Sequence, residues 1–567
     1  MKLNTRNYLR TLILLLFSLL PATTVLAQFE QEEPDPFADD PFEIDQPVVR
    51  RNVRRGQWTP STYSDQAEMI EKMLKASIKR KMDYRFETVG ALSQGDYAPF
   101  WLVSNRQGLS SLENKSGYIR LSALGGMLLP NTFGVDYGMD MTINSGFQSS
   151  YYIQQVYVDL KYSWLSLSMG TKERWGEMKN PKLSSGGLTW SGNALPMPQA
   201  RLEVPEFTRL NILGGWFSLK GHVGYGRYTD SQYREEMALN ISKDKPSYAD
   251  KILHHSKSAF LKVGNVEKFP LEFIWGLEMY AQFGGNLYNT STAGEFHEYK
   301  QFPTGLSSYW DILLPFNATG KQDHDNGNTL GSWHLSFDLT FDEWKYRAYY
   351  EHFYEDHSSL LGIEYKNNAQ GEKDFVFYGY KRNWFDGQYG IEINAPDGLP
   401  FKNIVLEFMK TKDQCGSLCV DTDAVTERVD GAENYYNHTV YKSYAHWGYA
   451  IGNPVLISPI YNKDSSMLFK SNRTMMFHLG IDGTISNKLD YRILATNTSH
   501  WGTYMKPLNE VSNITSLMLE CSYWTGDAYS WKFTLSGAMD IERGGNLLGG
   551  TDNKGVMLSI SKVWDIL

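Results

Sequence analysis

Four stretches of this chain combine flat aromatic rings with amides, guanidiniums and imidazoles. Asn105 to Gly108 follow Phe100-Trp101, Thr189 to Arg201 read TWSGNALPMPQAR, and His446-Trp447-Gly448-Tyr449 and His500-Trp501-Gly502-Thr503-Tyr504 come later. Aromatic faces cover the C–H faces of a sugar ring, while Asn, Gln, His and Arg bond its hydroxyls or carboxylates, so the chemistry indicated is saccharide binding. The candidate contacts are Trp101, Asn105, Arg106, Trp190, Asn193, Gln199, Arg201, His446, Trp447, Tyr449, His500, Trp501 and Tyr504. The same residue types also serve in interfacial belts and in loop packing.

Other chemistry is weaker. A hydrolase of the nucleophile-elbow type needs G-x-S-x-G, which is absent. A barrel-wall hydrolase needs only a Ser, a His and an acid or amide gathered across strands, so His334 and His478 leave that route open. Asp323-His324-Asp325-Asn326-Gly327-Asn328 offers oxygens at alternating positions but lacks the later bidentate Glu of a calcium loop, and reads as a solvated turn. Cys415 and Cys419 could close a small disulfide loop in an oxidising compartment, and Cys521 stands alone in a strand-like run. No metal, cofactor or catalytic residue is expected, and the chain reads as a binding protein rather than an enzyme.

The elements that position these residues are strands. In Val135 to Asn144, apolar Val135, Tyr137, Met139, Met141 and Ile143 alternate with Asp136, Gly138, Asp140, Thr142 and Asn144, and the pattern returns in Trp333 to Phe341 and Phe533 to Ile541. Each run is about ten residues, the length of a tilted strand crossing a bilayer. Tyr346, Tyr350 and Tyr354 share one face, Tyr162 and Trp164 another, and Tyr523-Trp524 end a third run, as aromatic girdles at two interfaces require. A soluble sandwich would also alternate, but without that gathering of aromatics. Polar inward positions such as Asp136, Asp140, His334, Asp338, Lys532 and Asp540 suit a hydrated channel or a salt-bridged plug.

Lys2, Arg6 and Arg10 precede the apolar run Leu12 to Leu20, and Val25-Leu26-Ala27 stands before Gln28, so residues 1–27 read as a secretory signal peptide. Its loss removes three positive charges from a chain whose net charge is already −9. That acidity, with no clustered basic face, argues against a nucleic-acid partner. No second apolar stretch could form a spanning helix, so a membrane reading requires a closed barrel. Residues 28–60, acidic and proline-rich, read as a disordered periplasmic leader. Residues 61–83 read as an amphipathic periplasmic helix, capped by Ser64 or Asp65, with Met69, Ile70, Met73, Leu74 and Ile78 on one face.

From Tyr84 to the end, tight connections at Pro130 to Thr132, Asp342-Glu343, Asn487-Lys488 and Gly526 to Ala528 alternate with long ones at Trp175 to Pro205, Asp230 to Ser258, Gly285 to Thr329, Asp413 to Arg473 and Ser499 to Glu510. This is the layout of an outer-membrane barrel with periplasmic turns and surface loops. The fold class is therefore all-β, a transmembrane antiparallel β-barrel with an even number of strands between about sixteen and twenty and a short N-terminal helix. Its expected partners are outer-membrane lipid and, during biogenesis, the barrel assembly machinery.

PFWLVSNRQG (Pro99 to Gly108), LSSGGLTWSGNALPMPQ (Leu183 to Gln199), NYYNHTVYKSYAHWGYAIGNPVL (Asn434 to Leu456) and NTSHWGTY (Asn497 to Tyr504) together resemble the capsule-assembly Wzi-type family of bacterial outer-membrane proteins. The resemblance covers most of the chain from about residue 84. It implies an eighteen-stranded barrel acting as a surface lectin that helps capsular polysaccharide attach to the cell, without catalysis, and with a helical element on the periplasmic side. The short helix and acidic leader depart from that pattern. The alternative reading is an outer-membrane porin or channel for small polar solutes or saccharides.

Overall fold

In the computed structural model, the described residues are 79–129, 133–210, 212, 214–292, 295–313, 327–355, 363–367, 373–377, 385–414, 433–526 and 530–565. The expected signal peptide, leader and first part of the helix, the Cys415–Cys419 pair and the Asp323 to Asn326 stretch lie outside them.

Eighteen strands form one sheet: β1 (Lys79–Gln94), β2 (Lys115–Leu129), β3 (Phe133–Ser145), β4 (Tyr151–Tyr162), β5 (Leu165–Thr171), β6 (Gln199–Leu210), β7 (Phe217–Arg227), β8 (Leu253–Asn265), β9 (Phe269–Phe283), β10 (Asn328–Phe341), β11 (Trp344–Glu355), β12 (Gly387–Asn394), β13 (Asn403–Lys410), β14 (Thr474–Ser486), β15 (Leu489–Gly502), β16 (Pro507–Trp524), β17 (Trp531–Arg543) and β18 (Asn553–Asp565). Each pairs antiparallel with the next. The ring closes where β1 pairs β18 from Asp83↔Asp565 to Gln94↔Lys554, with Tyr84 stacked on Trp564 at 6.1 Å across the seam. Closure removes every sheet edge, the condition for crossing hydrocarbon.

The polarity of the wall is inverted relative to a soluble protein. On β3, Met139 and Ile143 are 53% and 69% exposed while Asp140 between them is fully buried. Leu219 and Val223 on β7, Leu271 and Trp275 on β9, and Leu517 and Leu519 on β16 continue the outward apolar belt. The chain is thus a transmembrane β-barrel, and its packed core lies inside the ring. Of the expected inward polar residues, Asp140, His334 and Asp540 are buried. Asp136 pairs with Lys161 at 2.5 Å, Asp338 pairs with Arg347 at 2.7 Å, and Lys532 lies over the Trp524 ring.

Some boundaries differ from the sequence reading. Lys79 to Asp83 belong to β1 and not to the expected helix, pairing with Leu128 to Leu124 of β2. Met82 alternates with Tyr84 and Phe86 at the two-residue period of a strand face, and the backbone groups of the long β2 pair with this stretch. Gln199 to Pro205 lie in β6 rather than in a loop, and Ser499 to Glu510 is no long loop: β15 and β16 run into it from both sides, leaving 503–506 as the turn. Two further connections at the same end are 95–114, with helix α1 (Phe100–Val103), and 544–552. The 228–252 connection carries α2 (Ser231–Ile241), and the connection from β9 to β10 carries α3 (Leu306–Leu313).

Candidate functional site

The long connections do not all stand out as surface loops. Three of them fold into the ring, and their polar groups are met by inward side chains of distant strands. The 172–198 segment, leaving β5, crosses to β11 through β14. There Leu188 N–H donates to Glu351 Oε1 at 2.7 Å, Ser185 N–H to Glu407 Oε2 at 2.8 Å, and Asn180 Nδ2 to Glu392 Oε1 at 2.9 Å. His478 Nε2 lies 2.6 Å from the Leu183 carbonyl. A buried ion pair, Lys179 to Glu351 at 2.9 Å, fixes the same crossing. From the 95–114 segment, Phe100 N–H donates to Asp540 at 2.8 Å and Trp101 Nε1 to Thr496 at 3.1 Å. The 433–473 segment joins both: Tyr444 OH donates to Thr189 O at 2.6 Å and Tyr449 OH to Ser110 O at 2.8 Å. Buried backbone needs partners, and inside a barrel only wall side chains or other loops supply them.

Most of the sequence-predicted site residues serve this plug. Trp101 is buried, with its ring 5.2 Å from His478. Asn105 Nδ2 donates to Ser185 O at 2.9 Å, and its N–H to Asn193 Oδ1 at 3.1 Å. Arg106 lies 4.0 Å from Glu520, and Asn193 Nδ2 donates to Ala450 O at 2.9 Å. His446 is buried, its Nδ1 2.9 Å from Leu195 O and its Nε2 3.2 Å from the Thr229 N–H that donates to it. This network makes it the neutral Nδ1–H tautomer. Burial holds its pKa below the ordinary 6.5, against the raising effect of Asp230. His500 points inward between Thr474 and Thr498. Trp501 sits on the outward face of β15 under Lys412, 4.2 Å from its ring, and Tyr504 lies in the 503–506 turn.

Two places keep aromatic surface and polar groups together. The first is a narrow cleft, partly open to solvent and with enclosed room for about one water, where Trp190 and Arg201 of the expected residues meet. Trp175, Trp190 and Tyr280 supply ring faces, with Trp190 5.8 Å from Tyr280. Arg174 and Arg201 supply guanidiniums, and Glu177 and Glu278 carboxylates. Arg201 is paired with Glu203 at 2.5 Å and Glu177 at 3.8 Å. Arg174 instead donates to Ser168 Oγ at 2.8 Å, and burial beside Arg201 lowers its pKa to about 10. His222 is held at 2.7 Å by Ser258 through Nδ1, while its buried Nε2 has no partner among the described residues. Gln199 lies close by, with Ser256 Oγ 3.5 Å from its Oε1. The second place is a row of rings from Tyr118 through Phe147 and Tyr152 to Trp447 and Tyr233, at successive centroid distances of 6.2, 6.3, 6.1 and 6.2 Å. Gly448, at φ 79°, turns the chain beneath it; a Cβ there would stand 2.4 Å from the Tyr233 hydroxyl.

By residue type and spacing alone, Glu173, Arg174, Glu177 and Lys179 form an ordinary wetted charged run. All four point into the barrel interior: Glu173 bonds Arg120 at 2.8 Å and Lys179 bonds Glu351. Their i,i+1 to i,i+6 spacing carries no signal of this. His222 and Glu278 sit at polar positions of alternating strands, which marks them as inward but not as neighbours of Arg174.

No family model matches the chain, and no curated protein matches it. Solved structures do. The outer-membrane protein Wzi of Escherichia coli, described as a carbohydrate-binding β-barrel involved in group 1 capsule assembly, is 15% identical, with 89% of each chain covered and a TM-score of 0.49. OccK5 of Pseudomonas aeruginosa is 10% identical over 86% of this chain and 99% of its own, with a TM-score of 0.41. OmpT of Vibrio cholerae, an outer-membrane protein, is 6% identical over 86% and 98%, with a TM-score of 0.34.

Proposed function

We propose that this outer-membrane barrel binds capsular or other surface polysaccharide and helps attach it to the cell, without chemical turnover. The observation that carries this reading is the cleft beside Trp190, lined by apolar ring faces, two guanidiniums, two carboxylates and an imidazole whose Nε2 has no partner among the described residues. A pyranose presents this same mixture of C–H faces and hydroxyls. The Trp447 row offers a second aromatic surface for a longer chain. Against a channel stand the two connections 172–198 and 95–114, tied across the lumen by Glu351, Glu407 and Asp540, since a solute path would have to break buried charge-assisted bonds.

The test uses the purified full chain and immobilised surface glycan from the producing strain. Trp190→Ala should weaken retention about tenfold, the cost of one lost stacking contact of about 1.4 kcal/mol, while Trp501→Ala, on the outer wall, leaves it unchanged. Deleting the gene should leave glycan synthesis intact and release glycan to the medium. Large stable conductance steps in planar bilayers, with no glycan retained, would replace this reading by the channel.

A further inference from the structure

One patch of the outer wall breaks the apolar rule. On β8, inward His254, Ser256 and Ser258 alternate with outward His255 and Lys257, so an imidazole and an ammonium face the side on which lipid lies. Both are covered. His255 stacks on Tyr225 of β7 at 4.4 Å, and α3 folds back over the rim onto this patch. Tyr309 approaches Tyr225 at 5.1 Å and Phe283 at 5.3 Å, and Ile312 packs with Ala281 and Phe283. Tyr225 OH donates to Tyr309 O at 2.9 Å. Lys257 Nζ donates to the last carbonyls of the helix, Ile312 O at 3.2 Å and Leu313 O at 2.7 Å, where a cation suits both the unpaired carbonyls and the helix dipole.

The far face of α3 is apolar along one side, beside the exposed Ser307 and Asp311. Leu306 and Trp310, at i and i+4, share it and are 82% and 62% exposed. The helix lies directly above the belt: Val223, an exposed belt residue, is two positions along β7 from Tyr225, about 7 Å at the rise of a strand. That is the level of the membrane interface at the long-loop end, where Trp is at its most favourable.

We propose that α3 is a lipid anchor: Leu306 and Trp310 enter the headgroup–acyl boundary of the bilayer, so that the helix restores an apolar outer surface over His255 and Lys257. Lipid is the occupant because the exposed pair continues an apolar belt that lipid already covers, and because the helix is held to the wall by its opposite face.

The experiment places a single NBD label at position 310 by Trp310→Cys in a chain carrying Cys415→Ala, Cys419→Ala and Cys521→Ala, reconstituted into phosphatidylcholine vesicles. Ser307→Cys, on a polar exposed position, and Leu219→Cys, in the belt, give reference labels in separately folded proteins. The label at 310 should emit blue-shifted light, lose several-fold in intensity with headgroup nitroxide lipid, and resist aqueous iodide that quenches the label at 307. Quenching by iodide equal to that at 307 would overturn the proposal. Protection from both iodide and nitroxide lipid would also overturn it, since a second copy of the chain would then cover the helix.

Discussion

Replacing Glu351 by Gln separates the plug from the wall that holds it. Lys179 Nζ stands 2.9 Å from Glu351 Oε2, with both side chains almost wholly buried. At an effective dielectric of about 20 the attraction is about 6 kcal/mol before desolvation is subtracted. Leaving one buried charge alone costs about 3–5 kcal/mol. The lower figure applies, because Lys179 keeps Gln388 Oε1 at 3.0 Å and the Tyr349 ring at 4.3 Å. The Gln side chain preserves an acceptor for the Leu188 N–H, so the effect is electrostatic rather than a lost backbone bond. A loss of about 3 kcal/mol raises the open population of the 172–198 segment about 150-fold. Hydrogen exchange followed by mass spectrometry on peptides spanning 180–190 reads this directly, with the barrel strands as internal control. Lys179→Met with Glu351→Gln removes both charges and should return exchange to within about tenfold of the parent. Exchange in Glu351→Gln within about threefold of the parent, or a double variant no slower than the single, would refute the pairing as the holder of the crossing.

The other expected outcomes follow from the same contacts. A Cβ on Gly480 would stand 2.4 Å from the Leu183 carbonyl oxygen, whereas one on Gly537 meets nothing within 4 Å. Gly480→Ala should therefore loosen the 180–190 peptides at a cost of about 1–3 kcal/mol while Gly537→Ala does not, and equal exchange in the two variants would reject the contact. His446, held neutral, contributes stability that is present above its ordinary pKa of 6.5 and is lost as pH falls through it. Protection at 444–450, corrected for the intrinsic pH dependence of exchange, should be constant from pH 8 to about 6.5 and fall from there to pH 5, and His446→Gln should abolish the fall. Asp386, on the approach to β12, is pushed up to about 7 by burial and by Asp413. Its contribution is present below the ordinary 3.8 and is lost as pH rises through 7. Asp386→Asn should raise the thermal midpoint more at pH 8 than at pH 4, by at most about 4 kcal/mol of stability, and a pH-independent difference would count against it.

What the sequence makes legible is what a two-residue period can carry. Met139, Asp140, Met141 and Thr142 announce both a strand and its inverted polarity, and Asp342-Glu343 and Asn487-Lys488 mark turns because both flanking runs alternate up to them. Ring closure follows, since strands with lipid on one side cannot leave an edge. The plug is illegible for a corresponding reason. Trp101, Asn105, Asn193 and Tyr449 are the residue types of a sugar surface, and they are equally the types that bond loop to loop in a polar interior. Their spacing does not distinguish a hydroxyl of a ligand from the carbonyls of Ser185, Ala450 or Ser110. Trp190 and Arg201 do reach the cleft, but their neighbours Arg174, His222 and Glu278 come from separate segments that only the closed ring brings together.

The inward carboxylates tie these two levels together. Glu351, Glu407 and Asp540 occupy alternate positions that a barrel reserves for its lumen, and alone they would be costly in a narrow interior of like charge. Each is instead met by backbone N–H groups of a connection that begins on another part of the ring: Leu188, Ser185 and Phe100. Those N–H groups, in turn, have no water to bond once the segment is inside. Wall and plug are therefore each unsatisfied without the other, which makes the polar face of the strands the determinant of where the long connections go. A loop on such a barrel is placed by the carboxylates of strands it does not join, and its own length decides only which of them it can reach.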